Sequence, residues 1–285
     1  MAYRSPDIAV IILTYNEEAN IAQALASVRG WAREVFILDS HSTDATEAIA
    51  GHFDCRFYKH RFANYAEQRN YALRELPIGS EWVLFLDADE WLPQAIKEEI
   101  SAKLATNPPE NGYRLKFRFI WMGRWIKRGY YPTWILRLFR VNKAVCESRE
   151  VNEHIIVEGP VGYLDSDLIH EDHKDIGDWI AKHNAYATRE ARQLLVSENK
   201  ARGEEIKVDF WGSQAERKRW IRYRLWNKLP PLFRPFLYFF YRYFIRGGFM
   251  EGAVAFSYHF LQALWFPLLI DIKYLEMRLR RENHE

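Results

Sequence analysis

The sequence has no glycine-rich phosphate-binding loop. Its 285 residues contain neither G-x-G-x-x-G nor G-x-x-x-x-G-K-[ST], so they support neither a Rossmann dinucleotide site nor a P-loop. If the protein binds phosphate groups, a metal ion and basic side chains must hold them instead. The chain also has no internal repeat and no low-complexity tract, and 48% of its residues are hydrophobic, enough for one large core.

Cysteine is scarce as well. The chain has only two cysteines, Cys55 and Cys146, and they form no C-x-x-C pair. This spacing predicts two ordinary thiols in a reduced compartment rather than a disulfide framework. The N-terminal residues show no pattern of a secretory signal peptide, so we expect the protein to stay in the cytoplasm.

Acidic residues are missing from 217–246, a segment that holds nine Lys and Arg and eleven aromatic residues. Because the whole chain has a net charge of only +2, the rest of it is net acidic. Basic side chains interleaved with aromatic rings suit a membrane interface, where cations meet anionic headgroups and the rings lie at the boundary. Nucleic acid is the rival partner for such a segment.

Charged residues of both signs are missing from 252–270, the nineteen residues that follow closely. That length reaches the lower limit for a membrane-spanning helix and favours a membrane over nucleic acid as the partner. Four residues argue against a full span, namely Ser257, His259, Gln262 and Pro267. We therefore predict a shallow or re-entrant helical hairpin at the membrane surface.

Short apolar runs alternate with helix-like segments over the first hundred residues. The runs that predict strands are 7–13, 34–39, 54–59 and 81–87. The segments that predict helices are 17–29, 44–50 and 65–76. This alternation predicts right-handed crossovers, and hence an α/β fold with a mainly parallel sheet and flanking helices. Pro93 is expected at the first position of the next helix, and 178–203 is expected to form one long packing helix.

Two aspartates fall at the ends of predicted strands. Asp39 closes the second strand, and Asp87 closes the fourth within "EWVLFLDADEWLP" (81–93). Both should emerge at the carboxyl edge of the sheet, where such folds bind ligands. Neighbouring strands lie ~5 Å apart, so carboxylates at adjacent strand ends could share one ligand.

The triplet Asp87-Ala88-Asp89 presents two carboxylates in a turn after a buried strand. Carboxylate oxygens are hard ligands that suit Mg²⁺ or Mn²⁺, and these ions also bind phosphate oxygens. The alternative is that D-A-D-E only stabilises the start of the next helix, with Glu90 as a helix-start acid.

Several motifs, in order and at matching spacing, resemble the nucleotide-sugar-binding motifs of family 2 glycosyltransferases with the GT-A fold. They are "VIILTYNEEANI" (10–21), "ILDSHSTDAT" (37–46), "FANYAEQRNYAL" (62–73) and "WVLFLDADE" (82–90). The likeness continues through "GRWIKRGYYPTWILRLFR" (123–140), "REVNEH" (149–154) and "LIH" (168–170). This order resembles the branch that contains lipopolysaccharide-core glucosyltransferases. His41 departs from it, since the branch usually has glycine at that position.

The resemblance implies a donor site. Nucleotide-sugar binding falls to Thr14, Glu17, Asp39, Gln68, Arg69, Asn70, Asp87, Ala88 and Arg137. In this scheme Asp39 accepts a hydrogen bond from the base, typically uracil, and Arg140 lies near the diphosphate or the acceptor. Asp89 and His170 would ligate Mn²⁺ or Mg²⁺, with His173 as the other histidine candidate.

The resemblance also implies an inverting hexosyltransferase. Sugar transfer builds charge on the departing diphosphate, which a divalent cation stabilises, and the attacking acceptor hydroxyl needs a general base. Glu153 is the candidate base, Asp165 and Asp167 come next, and a solvated strand-end charge is the alternative reading of Glu153. The expected reaction moves a sugar, typically from a UDP-sugar, to a saccharide or lipid-linked acceptor in cell-envelope polysaccharide or lipopolysaccharide biosynthesis.

Three regions are predicted. Residues 1–175 form the GT-A nucleotide-sugar-binding domain, with the acceptor side from about 110; 176–212 form a packing helix and linker; 213–285 form a basic, aromatic, helical membrane-associating region. We expect a peripheral or monotopic protein at the cytoplasmic face of the inner membrane, with no nucleic acid partner. The alternatives are a non-catalytic, membrane-attached nucleotide-sugar-binding protein and a D-x-D phosphohydrolase. The latter is less favoured because Glu90 replaces the expected threonine.

Overall fold

The computed structural model describes residues 6–147, 154–199, 220, 226 and 229–283. The chain divides into two compact units. The first unit comprises Met1–Trp125 and Tyr131–Lys174, and the second comprises Ile126–Tyr130 and Asp175–Glu285. The second unit therefore contains a short segment from the middle of the chain as well as its C-terminal part.

The first unit contains the sheet and four helices. Its strands are β1 (Ile8–Thr14), β2 (Glu34–Asp39), β3 (Arg56–Lys59), β4 (Trp82–Asp87), β5 (Glu90–Trp91), β6 (Gly112–Trp121), β7 (Arg124–Trp125), β8 (Trp134–Arg140), β9 (Ala144–Cys146), β10 (Ile155–Val157) and β11 (Val161–Glu171). Its helices are α1 (Ile21–Val28), α2 (Thr46–Ala50), α3 (Tyr65–Glu75) and α4 (Gln94–Ala105). A short 3-10 helix, Val141–Lys143, joins β8 to β9.

The main sheet has the strand order β3-β2-β1-β4-β8-β6-β11-β5, with β7 paired to β6. The strands β3, β2, β1 and β4 run parallel, as the alternation of runs and helices predicts. Strand β8 is antiparallel to both β4 and β6, and β11 runs parallel to β6. The predicted α/β fold is confirmed, and the sheet as a whole is mixed because β8 reverses direction at its centre.

The central strands are buried on both faces, which explains their continuous apolar sequence. In β1, for example, Ile8, Ile11 and Ile12 have no exposed surface. One face of the sheet packs in a cluster with α3, formed by Ala9, Ile11, Phe36, Leu38, Ala72, Leu76, Val83, Phe85 and Phe139. Such burial supplies the main stabilisation of this layer, at roughly 25 cal/mol per Å² of apolar surface.

Strand β1 lies between β2 and β4, so Asp39 and Asp87 are not at neighbouring strand ends. Two strand spacings put these strand ends roughly 9–10 Å apart. The expectation that the two carboxylates stand at adjacent strand ends is therefore wrong. The error arises because sequence order does not reveal that the first strand occupies the middle of the sheet.

Two local predictions also need correction near the end of β4. Pro93 precedes α4 as its N-cap residue instead of occupying the first helical position. Glu90 is no helix-start acid, since it lies in β5, opposite His170 of β11. The long predicted helix begins two residues early, at Ile176, and is described as far as Asn199.

The second unit is helical. Its elements are α5 (Ile176–Asn199), α6 (Arg234–Phe240), α7 (Gly252–His259) and α8 (Phe266–Glu282). A π-helical turn, Tyr241–Ile245, continues α6, a 3-10 helix, Gly248–Glu251, precedes α7, and a second π-helical stretch, Phe260–Trp265, joins α7 to α8. Helices α6 and α7 thus form two arms of a helical hairpin.

Helix α5 packs through aromatic rings against the start of α8 and the end of the π-helical stretch before it. The ring of Trp179 lies 6.1 Å from that of Trp265, and the ring of His183 lies 5.2 Å from that of Phe266. At the start of α6, Arg234 forms a buried ion pair with Asp271 of α8. The first charged residue after the uncharged stretch 252–270 is therefore neutralised inside this unit.

The second unit also holds the segment Ile126–Tyr130. Arg242 Nε donates to the carbonyl oxygen of Gly129 at 2.9 Å, and the guanidinium lies 5.1 Å from the centre of the Tyr130 ring. The Glu251 carboxylate accepts hydrogen bonds from the backbone N–H groups of Lys127 and Arg128. Gly129 has φ +74°, and a Cβ atom there would lie 2.8 Å from both the Arg242 carbonyl oxygen and a carbon of the His259 ring.

The turn between α6 and α7 exposes apolar side chains. We define the hairpin tip as Phe240, Tyr241, Phe244, Ile245, Phe249 and Met250, each 47–65% exposed. Among the described residues, one helical stretch, Gly248–Glu282, is long and apolar enough by length and composition to cross a membrane. Contiguous exposed apolar side chains of this kind mark interaction surfaces.

Candidate active site

A tight turn brings three acidic residues to the end of β4. Asp87 ends the strand, a two-residue turn contains buried Ala88 together with Asp89, and Glu90 begins β5. The Asp87 backbone N–H donates to Glu90 Oε2 at 3.0 Å and closes the turn. Because β5 pairs antiparallel with β11, Glu90 lies opposite His170. The turn therefore brings its carboxylates to the C-terminal end of β11.

His170 lies between two of these carboxylates. Its Nε2 is 3.4 Å from Asp89 Oδ2, and its Nδ1 is 3.6 Å from Glu90 Oε1. Phe117 and Phe119 flank the ring, at centroid distances of 5.7 and 5.2 Å. Burial by itself lowers the pKa of His170, but the Asp89 and Glu90 carboxylates outweigh it and raise the pKa to about 9.

The other candidate histidine is engaged elsewhere. His173 Nε2 lies 2.8 Å from Gln23 Oε1, and its ring stacks on Trp91. Its backbone N–H donates to Asn20 Oδ1. Of the two histidines in this stretch, His170 is the one that approaches Asp89.

Arginines neutralise Asp87. The Arg137 guanidinium contacts both of its carboxylate oxygens and also donates to Glu90 Oε1 at 3.2 Å. Arg69 Nη2 lies 3.6 Å from Asp87 Oδ1. Burial by itself raises the pKa of Asp87, but Arg137 and Arg69 hold that pKa well below its usual range. The half-buried Asp87 carboxylate therefore stays ionised at neutral pH.

At the neighbouring strand ends, Thr14 and Asp39 face each other in register. Thr14 Oγ1 donates to Asp39 Oδ1 at 2.8 Å, and the Ser42 hydroxyl and backbone N–H donate to the same carboxylate. Asp39 thus orders the loop that follows β2. In that loop His41 has φ +61°, a left-handed conformation that favours glycine.

A second polar cluster surrounds Glu17, after β1. Its carboxylate pairs with Lys174 Nζ at 2.8 Å and accepts from Asn20 Nδ2 at 2.8 Å. Burial is the main cause of its raised pKa. Asn20 also donates to Asp172. Sequence reasoning missed Asn20 and Lys174, because the contacts of Asn20 with Asp172 and of Lys174 with Glu17 join residues some 150 positions apart, and no local pattern reveals such pairs.

The three predicted residues on α3, Gln68, Arg69 and Asn70, contact different groups. Gln68 Oε1 lies 2.8 Å from His60 Nδ1, and Asn70 exchanges two hydrogen bonds with the backbone of Cys146. These two side chains bind protein groups, which ties α3 to neighbouring segments. Arg69 instead reaches Asp87, with its guanidinium 5.8 Å from the Phe85 ring centre.

Two further predicted residues lie away from this cluster or outside the described residues. Arg140 was expected near the diphosphate or the acceptor; it pairs with Trp82, at the opposite end of β4 from Asp87, and contacts Glu81. Glu153, the candidate general base, lies outside the described residues. Asp167, a reserve candidate, accepts hydrogen bonds from Arg118 and from the Tyr131 hydroxyl.

Asp89 and His170 fit two adjacent ligands of one divalent cation. Two ligands ~2.1 Å from an ion and at right angles to each other are ~3 Å apart, close to the 3.4 Å between Oδ2 and Nε2. Glu90 contacts the other ring nitrogen, as partners that orient a ligating histidine do. Within the described ranges, no group of three or more His, Cys, Asp or Glu is arranged to hold a metal. Mg²⁺ is commonly held by one or two protein ligands together with substrate phosphates and water.

The parallel half-sheet, the D-A-D turn at the end of β4 and the histidine at the end of β11 define a GT-A fold. The chain belongs to glycosyl transferase family 2, which residues 9–142 match. The lipopolysaccharide core biosynthesis glycosyltransferase LpsC of Rhizobium meliloti is 30% identical over 275 residues, 90% of this chain and 90% of LpsC. An uncharacterized glycosyltransferase of Rickettsia typhi is 28% identical over 200 residues, 66% of this chain and 68% of that protein.

Solved structures are more distant. The crystal structure of S. aureus TarS 1–349 is matched over 96% of this chain and 91% of that chain, with 14% identity and a TM-score of 0.48. A longer S. aureus TarS structure is matched over 64% of this chain and 39% of that chain, with a TM-score of 0.44.

Proposed function

We propose that the protein is an inverting, divalent-metal-dependent glycosyltransferase that moves a hexose from a UDP-sugar to a saccharide or lipid-linked acceptor. The observation that carries this proposal is the approach of Asp89 to His170 beside the Asp87–Arg137 ion pair. Carboxylate and imidazole ligands next to arginines suit a site for a cation and a diphosphate.

Asp89 and His170 would hold Mn²⁺ or Mg²⁺, with Glu90 orienting the histidine. A divalent cation supplies Lewis-acid stabilisation of the negative charge that develops on the departing diphosphate. Arg69 and Arg137 add fixed positive charge to the same region, where they keep Asp87 ionised. Glu17, beside Lys174, would line the pocket on the side of β1.

Glu153 is our candidate for the general base. As the acceptor hydroxyl oxygen attacks the anomeric carbon, its proton passes to the Glu153 carboxylate and the bond to the UDP oxygen breaks. Direct attack on the face opposite the leaving group inverts the anomeric centre, so an α-linked donor gives a β-linked product. Loss of this base should affect transfer much more than donor binding.

The acceptor class is suggested by the relative that aligns over most of the chain. LpsC carries the name of a lipopolysaccharide core biosynthesis glycosyltransferase and is matched over 90% of both chains. We therefore infer a core-oligosaccharide or other cell-envelope acceptor. Nucleotide sugars are made in the cytoplasm, so the reaction belongs at the cytoplasmic face of the inner membrane.

The hairpin tip supports peripheral or monotopic attachment to that membrane. Its six exposed side chains are apolar or aromatic, and the nearby Glu251 carboxylate is occupied by two backbone N–H groups. Rings of this kind lie favourably at the boundary between headgroups and acyl chains. Most of the first half of the basic segment 217–246 lies outside the described residues.

Donor turnover tests the proposed function against its two alternatives. Purified full-length protein in detergent is incubated with a panel of UDP-sugars, Mn²⁺ or Mg²⁺, and deacylated core-oligosaccharide and lipid-linked acceptors. The proposal predicts a glycosylated product and release of UDP. A nucleotide-sugar-binding protein would bind UDP without turnover, and a phosphohydrolase would release phosphate without a glycosylated product. Either result would contradict the proposed transfer.

A further inference from the structure

The end of β11 and the residues that follow it connect the candidate metal site to the loop after β1. Directly after His170, the Glu171 backbone N–H donates to the Asp89 carbonyl oxygen at 2.9 Å. Three residues further along the chain, Lys174 Nζ lies 2.8 Å from Glu17 Oε1. This short segment thus contacts both the turn that contains the D-A-D triplet and the loop that is predicted to line the nucleotide pocket.

Asn20, the residue before α1, fixes the segment against the loop. Its Nδ2 donates to Glu17 Oε2 at 2.8 Å and to Asp172 Oδ1 at 2.9 Å. Its Oδ1 accepts from the backbone N–H of His173, whose ring contacts Gln23 instead. The amide is buried, and a buried polar group whose donors and acceptor are all used specifies one arrangement of its partners. Asn20 therefore orients the Glu17 carboxylate as well as the segment.

Lys174 supplies positive charge beside the Glu17 carboxylate. The two side chains are 19% and 15% exposed, so water and salt screen their interaction less than they screen a surface pair. Burial is the largest influence on the pKa of Glu17 and raises it, whereas Lys174 and Asn20 lower it and the charge of Asp89 raises it. Without the lysine, the pKa of Glu17 would rise further, and the carboxyl group would be neutral over a wider range of pH.

Two other carboxylates lie around Glu17. Asp172 shares an amide partner with it. Asp44 accepts from the Thr46 hydroxyl, which in turn accepts from the Glu17 backbone N–H. Like charges nearby disfavour the ionised form of a carboxyl group, and the positive charge of Lys174 offsets them.

We propose that Lys174 is a positioning residue of the donor site, which holds the Glu17 carboxylate in place to accept a hydrogen bond from the nucleotide. The inference rests on the proposed function, in which Glu17 lines the nucleotide pocket. A carboxylate can accept about four hydrogen bonds, and Lys174 and Asn20 each use one oxygen once. The remaining acceptor positions suit hydroxyl or N–H groups of a nucleotide, and an ionised carboxylate accepts more strongly than a neutral one.

Two other roles for Lys174 make different predictions. A lysine that binds the diphosphate directly would contribute to UDP affinity whether or not residue 17 carries a charge. A lysine that only joins the segment to the loop would contribute to stability, and its loss would leave the pH dependence of UDP binding unchanged. A lysine that acts through Glu17 should lose its effect when that carboxylate is replaced.

UDP binding by the full-length protein in detergent, with Mn²⁺ present, tests the proposal in a double-mutant cycle. The variants are Lys174→Met, Glu17→Gln and the combination of both, together with Lys174→Arg, which keeps the positive charge. Lys97→Met is the matched control. Lys97 is also half-buried, and it joins α4 to α1 because its Nζ donates to the Ser27 carbonyl oxygen at 3.0 Å.

The expected result is a loss of about tenfold in UDP affinity for Lys174→Met, with little or no loss for Lys174→Arg and for the Lys97→Met control. In the Glu17→Gln background, Lys174→Met should have no further effect, because the carboxylate through which the lysine acts is absent.

The pH dependence of UDP binding gives a second readout. Glu17 accepts most strongly when it is ionised, which requires a pH above its pKa. Since loss of Lys174 raises that pKa further, the affinity of Lys174→Met should fall at a higher pH than that of the wild-type protein as the pH is lowered. Glu17→Gln should abolish this difference. UDP and the metal titrate alike in all variants, so the ratio of affinities at each pH isolates Glu17.

Two outcomes would overturn the proposal. One is unchanged UDP affinity in Lys174→Met. The other is an equal loss from Lys174→Met in the wild-type and Glu17→Gln backgrounds, which would indicate a direct contact of the lysine with the diphosphate. If Lys174→Met does not fold, Lys174→Gln takes its place in the cycle. Absence of UDP binding by the wild-type protein would instead contradict the proposed function, and the inference with it.

Discussion

At the strand ends of the first unit, charged side chains are buried and paired, whereas along the hairpin of the second unit apolar side chains are exposed. Glu90 is 1% exposed and contacts Arg137 and His170, while Ile245 is 65% exposed. Burying charge is unfavourable unless partners compensate it, and exposing apolar surface is unfavourable in water. Each region therefore departs from the usual arrangement of a globular domain. The proposed function would explain both departures, by a diphosphate and a cation in one region and a membrane in the other.

Replacement of the candidate base should have the largest effect. Glu153→Gln keeps the size of the side chain but removes the proton acceptor, so transfer should fall roughly 10²–10⁴-fold while UDP affinity stays nearly unchanged. Steady-state transfer rates and UDP titrations measure the two quantities. The matched control is Glu158→Gln, an exposed glutamate of the same region that pairs with Lys143. A loss confined to the donor KM would make Glu153 a binding residue.

Replacement of Glu90 should have the next largest effect. Glu90→Gln removes a buried negative charge between Arg137 and His170, and losing the partner that orients a ligating histidine typically lowers metal affinity roughly 10–100-fold. Titration of UDP with and without Mn²⁺ measures the metal-dependent part. Glu47→Gln, at an exposed pair with Lys59, serves as the control. Unchanged metal dependence in Glu90→Gln would mean that Glu90 has only a structural role.

The hairpin tip provides the corresponding test of the second region. Ile245→Glu replaces an exposed apolar side chain that we place in the membrane interface, where its burial is worth about 1.5–3 kcal/mol. Binding to vesicles that contain anionic lipid should fall by about tenfold or more in a flotation assay. Met122→Glu, 62% exposed in the first unit, is the matched control. Equal binding of both variants would assign the hairpin tip to a protein interface instead.

The prediction with the smallest expected effect on activity concerns the stability of the segment held by Arg242. Gly129→Ala puts a Cβ at a positive φ and 2.8 Å from backbone and ring atoms, so it should destabilise the protein by a few kcal/mol. Gly123→Ala isolates the backbone contribution, because Gly123 has φ +73° with no atom within 4 Å of the added Cβ. In thermal unfolding, the Tm should decrease more for Gly129→Ala than for Gly123→Ala. Equal decreases would mean that the neighbours of Gly129 move aside.

The first half of the sheet can be predicted because its signals are local. Strands β1, β2 and β4 are largely apolar runs bounded by turns, and the predicted bounds of β1 to β4 differ from the observed ones by two residues at most. Strand β6 escapes such a search, since its outward face carries charged residues, and β5 has only two residues. The order of strands, with β1 central, depends on long-range packing that no short segment reveals.

Some residues of the candidate site can likewise be identified from local sequence, and others cannot. Asp87 and Asp89 can be identified from one short segment, and His170 from a family resemblance. The roles of all three residues remain predictions. Glu90, in contrast, has the sequence context of a helix start, and its burial depends on the pairing of β5 with β11. Lys174 forms an ion pair with Glu17, although most of the sequence of the first unit lies between them. Local sequence patterns therefore do not predict contacts between residues that are distant in sequence.

The most direct test of the account is metal-dependent UDP binding by Asp89→Asn, measured by titration calorimetry with Mn²⁺ or Mg²⁺ and with a chelator. If Asp89 and His170 hold the cation, the wild-type protein binds UDP more tightly with metal, and the variant loses this gain while its far-UV circular dichroism is unchanged. Asp54→Asn, at an exposed aspartate, should behave as the wild type. A normal metal-dependent gain in UDP affinity by Asp89→Asn would contradict the assignment of Asp89 as a metal ligand.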